Sequence, residues 1–326
     1  MTIEELDIPK NEEIFNSLVV TKSKLDNPNY KNIMVSISGG ADSDILIDMI
    51  DELGALDRVH FVWFDTGLEY QATKDHLKYL EKKYGIDIEV EKAAKPIPST
   101  CKEYGQPFLS KQVSEYIQRL QKHNFKWEDK SFDELYKEYP KCKVALKWWC
   151  NEWGEGSKFN IDYNKYLKEF MVENPPKDIK ISNICCKNGK KLPALNYKRR
   201  NNIDLSITGV RKAEGGARSS AYKNCFTTYE DKTDEFRPIF WYKEEAKKIY
   251  VSYYKVKHSL CYSKYGLKRT GCAGCPYGKD FEEELKVMEE YEPKLYKAAC
   301  HIFGASYEYT RKYREFIKKK ESEKNV

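Results

Sequence analysis

A chain of 326 residues, with 57 Lys+Arg against 51 Asp+Glu and a net charge of +6, can bury a sizeable core without disulfide staples. Its 25 Tyr, 14 Phe and 6 Trp exclude a disordered chain, and its apolar runs are too short to span a bilayer, so no membrane partner is expected. The acidic start, MTIEELDIPKNEE, lacks the apolar stretch of a signal peptide, so a cytoplasmic location is expected and the ten cysteines point to metal or redox chemistry or to buried thiols rather than to disulfides.

Charge is unevenly spread: residues 1–180 carry a net −6 and residues 181–326 a net +12, all of it present by Cys275. Such a strip suits a polyanionic or multiply phosphorylated ligand; the alternative is a solvated lysine-rich surface. In chain order, residues 10–26 read as an amphipathic lead-in helix, within an N-terminal helical segment 1–30. Asn32–Ser36 reads as a buried strand that runs into Ile37–Asp44 (ISGGADSD) and then a helix, Ile45–Leu53. His60–Phe64 is a second strand, ending at Asp65-Thr66-Gly67; Gln71–Tyr84 is helical and Ile86–Glu91 a third strand. Alternating strands and helices predict a doubly wound parallel α/β sheet, with a nucleotide-binding core at 31–96. Residues 97–180 read as a helical insertion, with Gln112–His123 its clearest helix. The core resumes over 181–280 with strand Leu205–Gly209, and 281–326 is a helical C-terminal region interrupted near Gly304. Trp148, Trp149 and Trp153 are either core or a platform for stacked bases.

Ser38-Gly39-Gly40-Ala41-Asp42-Ser43 carries the first chemistry. Two glycines permit a tight turn, and the following helix aims its N–H groups and positive end at the same place, where an anion would bind. Ser38 and Ser43 add hydroxyls, and Asp42 either orders the loop or helps to hold Mg²⁺. Ligands in such sheets sit at the carboxyl ends of the strands, so SGGADS and Asp65-Thr66 face one crevice. The strand–SGGxDS–helix arrangement resembles the PP-loop of ATP pyrophosphatases, which cleave ATP to AMP and pyrophosphate. Asp65-Thr66-Gly67 resembles the Asp-Thr-Gly of sulfonucleotide reductases. Thr208-Gly209-Val210-Arg211, with Glu214 and Arg218, resembles a segment after a late strand in proteins similar to phosphoadenylylsulfate (PAPS) reductase. The resemblance implies an adenine nucleotide alpha hydrolase-like fold. It implies a nucleotide site of Ser36, Ser38, Gly39, Gly40, Asp42, Ser43, Asp65, Thr66, Gly209, Arg211 and Arg218, with arginine forks on phosphate or sulfate.

Cys185-Cys186 and Cys272-Ala273-Gly274-Cys275 carry the second chemistry. Thiolates suit zinc or iron–sulfur clusters, and adjacent cysteines reach two irons of a cubane more readily than one zinc. The tandem pair, with Lys190 and Pro193 in the pattern CC-x₃-K-x₂-P, resembles assimilatory adenylylsulfate reductases. That implies a [4Fe–4S] cluster on Cys185, Cys186, Cys272 and Cys275, with Lys190 as a nearby counter-charge. Cys101, Cys142, Cys150, Cys225 and Cys261 are expected to be isolated structural thiols.

The reductases act through a C-terminal Glu-Cys-Gly-x-His segment that this chain lacks; the nearest thiol is Cys300, in KAACHIFG, within a helical pattern. The intact loop instead resembles DNA-phosphorothioation proteins of the same group. The expected function is ATP-dependent adenylation and sulfur transfer to a nucleic acid or nucleotide acceptor, with Asp42, Arg211 and Lys190 as catalytic residues and ATP, Mg²⁺ and the cluster as cofactors. A cysteine desulfurase is a candidate sulfur donor. The competing readings are a sulfonucleotide reductase, with an adenosine sulfonucleotide as ligand, and a non-catalytic nucleotide-sensing or DNA-binding module.

Overall fold

The computed structural model describes residues 5, 7–215, 221–230 and 233–324. In chain order the elements that matter are α1 (Glu12–Leu25), β1 (Ile33–Ile37), α2 (Ala41–Glu52), β2 (Val59–Asp65), α3 (Gln71–Tyr84), β3 (Ile88–Lys92), α4 (Ile97–Tyr104), α5 (Lys111–Lys122), α6 (Phe132–Glu138), α7 (Lys143–Trp149), α8 (Leu167–Glu173) and the single turn α9 (Ile184–Cys186). Then come α10 (Leu192–Arg200), β4 (Leu205–Thr208), β5 (Phe226–Thr227), β6 (Asp234–Phe236), α11 (Glu244–Tyr253), α12 (Leu260–Ser263), α13 (Phe281–Tyr291) and α14 (Pro293–Lys324). The chain gathers into two units: Met1–Ala94 with Gly189–Ala273, and Lys95–Asn188 with Gly274–Val326.

Among the described residues, the first unit holds a six-stranded sheet, in the order β3-β2-β1-β4-β6-β5. β1 is central because it is apolar on both faces: Ile33, Val35 and Ile37 are buried with α1 and α2 residues such as Leu18, Ile45 and Leu46, and Met34 packs on the other face with Val62, Tyr197 and Ile203. Each fully buried Ile or Leu contributes about 1.5–3 kcal/mol by leaving water. β1 pairs in parallel with β2 on one side and β4 on the other, so the strand order reverses between β1 and β4. That reversal opens a crevice at their carboxyl ends. The sheet is parallel as expected except at one edge. β5 is only two residues long and returns to β6 by a short connection, which forces an antiparallel pair, Phe226 opposite Phe236.

The second unit is helical, and its core is aromatic. Trp148 and Trp149 of α7 are fully buried with Phe108, Phe170 and Tyr309, which makes them core rather than a base platform; Trp153 is exposed against Phe159. α14 runs unbroken through Gly304. The interruption falls earlier, at Glu292–Pro293, where proline occupies the first helical position that it tolerates.

Candidate functional site

In the first unit, the loop after β1 turns at Gly39, whose φ of +66° is left-handed. A Cβ there would stand 2.6 Å from Thr73 Cγ2, so glycine is required twice over. Gly40 is needed for space: a Cβ would lie 2.8 Å from Thr270 Oγ1 and 3.2 Å from Tyr262 Oη. Ser43 points back into the loop. Its Oγ donates to Gly40 O at 2.7 Å and accepts from Gly40 N at 3.2 Å and Ser38 N at 3.3 Å. Ser43 therefore shapes the loop, while Ser38, 3.3 Å away through Oγ, lies on its rim. Ser36 lies within β1, half-buried and opposite Thr208.

Asp42 and Arg211 come together. Arg211 Nε donates to Asp42 Oδ1 at 3.1 Å, and Lys247 Nζ reaches the same oxygen at 2.7 Å. Arg211 is 5% exposed; its Nη1 lies 2.9 Å from Glu244 Oε1 and its backbone N–H donates to Glu214 Oε1 at 3.0 Å. Burial disfavours its charge, but Asp42 and Glu244 outweigh burial and hold the guanidinium above its ordinary pKa. Gly209 lets β4 pass this close, since a Cβ would sit 3.1 Å from Asp42 O. Two cations on one carboxylate at a helix N-terminus form a charge reservoir that an incoming polyphosphate can share.

The Asp65-Thr66-Gly67 turn is fixed by a residue with no place in its motif. Buried Glu69 accepts from Thr66 N at 3.1 Å, Thr66 Oγ1 at 2.6 Å and Leu68 N at 3.1 Å. Burial raises its pKa despite these bonds. Gly67 N donates to Asp65 Oδ1 at 2.8 Å. The 260–273 segment covers both loops: Ala41 N donates to Tyr262 Oη at 3.0 Å, and Ala273 N to Leu68 O at 2.7 Å. Cys272 Sγ lies 3.4 Å from Thr66 Oγ1. Fully buried Asp44, one turn into α2, meets two imidazoles, His76 Nε2 of α3 at 3.0 Å and His258 Nδ1, just before this segment, at 2.8 Å. Tyr262, Thr270, Lys247, Glu69 and the two histidines have no motif of their own; only the topology brings them here. Lys190 also belongs to the first unit, on the turn Lys187–Lys191, and Arg218 lies outside the described residues.

The second unit holds Cys185, Cys186 and Cys275. The Cys185 thiol, beside Cys101 and Cys186 and within electrostatic reach of Cys275, has its pKa raised, first by Cys101 and then by burial. Tyr277, also within reach of Cys185, Cys186 and Cys275, has a buried hydroxyl with no hydrogen bond of ordinary geometry. Ser114 beside it is engaged by the Phe108 backbone at 2.9 Å. Among the described residues, no three His, Cys, Asp or Glu side chains are placed to hold a metal ion. A single ion needs all its ligands on one centre, whereas an iron–sulfur cluster takes each thiolate on a different iron. The grouping of thiols with an orphaned donor, which a cluster's sulfur would accept, fits the polynuclear group.

Residues 32–277 match the phosphoadenosine phosphosulfate reductase domain, and the chain belongs to that family. An uncharacterized protein of Methanocaldococcus jannaschii is 28% identical over 268 residues, which is 82% of this chain and 40% of that protein; the chain thus spans well under half of this relative's length. Among solved structures, the PAPS reductase of Candida auris in its phosphate complex is 14% identical, with a TM-score of 0.40 over 82% of this chain and 97% of that one. The U34-tRNA thiolase NcsA of Methanococcus maripaludis, with its [4Fe–4S] cluster, is 12% identical with a TM-score of 0.39, over 94% of this chain and 81% of that one. Among the described residues, no helix is long and apolar enough to cross a membrane.

Proposed function

We propose that this PAPS reductase family member binds ATP on the Ser38–Ser43 loop, adenylates an oxygen of a nucleic-acid or nucleotide acceptor with release of pyrophosphate, and exchanges AMP for sulfur. The observation that carries the reading is the Arg211–Asp42–Lys247 group at the carboxyl ends of β1 and β4, on a loop that keeps every fixed PP-loop position. In the first step the acceptor oxygen attacks the α-phosphorus and the bond to the β-phosphate bridge breaks. The N–H groups at the start of α2 receive the leaving pyrophosphate, and Arg211 and Lys247 turn from Asp42 to meet its charge. Asp42 holds both cations in place before ATP arrives. Glu69 keeps Thr66 directed along the crevice wall. Mg²⁺, when bound with ATP, offsets phosphate charge, and a [4Fe–4S] cluster, when bound, supplies redox or sulfur-handling chemistry. Cys185, Cys186 and Cys275 would hold that cluster, with Cys272 as the fourth thiolate that the resemblance implies. The reductase reading needs a mobile thiol. Cys300 lies within α14, which favours a fixed thiol.

The test is pyrophosphate release from ATP and Mg²⁺ by anaerobically purified protein, comparing wild type with Asp42→Ala and Ser43→Ala. Release that both substitutions abolish is the expected outcome. No release, together with sulfite formation from adenylylsulfate that depends on Cys300, would overturn the proposal in favour of a reductase.

A further inference from the structure

From Ala246 to Ala273 the sequence has seven Lys and Arg and no Asp or Glu. The later part of this stretch is docked on the nucleotide loops of the first unit, to which it belongs. Tyr262 Oη accepts from Ala41 N at 3.0 Å, and Thr270 Oγ1 lies 2.8 Å from where a Cβ on Gly40 would stand. Ser259 Oγ donates to Ala72 O at 3.1 Å, and Ala273 N donates to Leu68 O at 2.7 Å. Tyr265 packs edge-on against Tyr70, with ring centroids 6.2 Å apart. Leu267 N donates to Cys261 O at 2.9 Å, which closes the turn after α12.

This docking decides where three of the charges lie. Lys264 follows Tyr262 by two residues, and Lys268 and Arg269 directly precede Thr270. Tyr262 and Thr270 stand against the Ser38–Ser43 loop, while Lys264, Lys268 and Arg269 are exposed. The loop already has cations of its own: Arg211, 5% exposed, and Lys247 both meet Asp42. Three further cations on the solvent side suit an anion that extends beyond the nucleotide. Along the same stretch come Leu260, 55% exposed, and the partly exposed rings of Tyr262 and Tyr265. Cations interleaved with aromatic rings suit a single strand, whose phosphates meet the charges and whose unpaired bases stack. A duplex keeps its base oxygens paired and stacked, away from an ATP bound on the loop, whereas an unpaired base turns out at little cost.

We infer that Lys264, Lys268 and Arg269 form the surface on which a single-stranded nucleic acid, the acceptor strand, lies at the mouth of the nucleotide site. The inference rests on the nucleic-acid part of the reading above and narrows it to unpaired strands.

The test is fluorescence anisotropy of fluorescein-labelled, mixed-sequence oligonucleotides, as single-stranded DNA, single-stranded RNA and duplex DNA, titrated with the full-length protein over a range of salt. The wild type should bind at least one of the single strands more tightly than the duplex. The triple variant Lys264→Ala/Lys268→Ala/Arg269→Ala should bind that strand roughly a hundredfold more weakly at about 0.1 M salt, and its slope of log affinity against log salt should be shallower by about 2, from three phosphates at about 0.7 each. Each single Ala variant should lose about fivefold, which keeps the test sound if the triple variant melts early. ATP binding by calorimetry should match the wild type in every variant that keeps the wild-type melting temperature. Strand affinity unchanged in all four variants, a preference for duplex, or ATP binding lost at an unchanged melting temperature would overturn the inference. Strand binding needs no turnover, so its failure is read separately from that of the ATP chemistry, which pyrophosphate release reports.

Discussion

The nucleotide loop and the thiol group, each proposed to hold a charged ligand, are built by opposite means. The loop is contiguous: six residues fold on themselves, and Ser43 staples Ser38 and Gly40. The thiol group is drawn from separate segments: Cys101 and Cys185 are separated by four helices, the Gly105–Lys180 crossing and the Asn188–Thr100 hydrogen bond bring α4 to the α9 segment, and the Gly274–Tyr307 contact holds the Cys275 turn against α14. A contiguous site survives changes elsewhere in the fold and is damaged mainly from within. An assembled site is damaged by changes at its crossings, far from any ligand.

The largest effect expected from that difference is on catalysis. Arg211→Ala removes the buried partner of Asp42 and should lower pyrophosphate release by roughly two to three orders of magnitude. Stopped-flow or coupled-assay rates would check this, and a loss of less than about tenfold would place the leaving-group charge elsewhere. At the thiol crossing, Gly105→Ala combines a strained φ with a 2.5 Å clash against backbone, and should cost about 3 kcal/mol or more by chemical denaturation. Gly39→Ala meets only the end of a Thr73 side chain and should cost less, about 1–2 kcal/mol, while abolishing ATP binding by calorimetry. A reversed order of these two costs would contradict the contrast between assembled and contiguous sites.

Glu69 makes a smaller, pH-dependent contribution. Its folded pKa is raised by burial above the ordinary 4.5, so the folded state binds the proton more tightly. Its contribution is fully present below 4.5 and is lost as pH rises through the raised value. Glu69→Gln should flatten that part of the stability profile, as urea midpoints between acid and neutral pH would record; an unchanged slope would mean that other carboxylates set it. The smallest effect should come from Tyr262→Phe. It removes the acceptor of the Ala41 N–H, costs about 1 kcal/mol of stability, and frees that N–H for phosphate, so ATP should bind equally well or a few-fold tighter.

The same contrast explains what could be read from sequence. Buried runs such as Ile33–Ile37, and glycine-rich turns directly after them, declare strand, loop and helix within a dozen residues. The parallel sheet and the placing of Ser38–Ser43, Asp65-Thr66 and Gly209–Arg211 on strand ends follow from those local signals. Partners supplied by other segments are silent. Lys247 is one of two adjacent lysines on α11, Tyr262 one of 25 tyrosines, and Cys101 a lone thiol until α4 is docked. The antiparallel β5 was illegible for another reason: two residues carry no periodicity. Gly304 misled because a glycine in an otherwise strong helix costs only about 1 kcal/mol, too little to break it.

The most direct single measurement follows α-³²P-labelled ATP with purified protein and Mg²⁺ under anaerobic conditions, resolving the products by chromatography with and without added nucleic acid. Labelled AMP, or label transferred as an adenylate to the acceptor, with matching pyrophosphate, is the result expected from the Arg211–Asp42–Lys247 geometry. Labelled ADP, or ATP bound and returned intact under every condition, would contradict it.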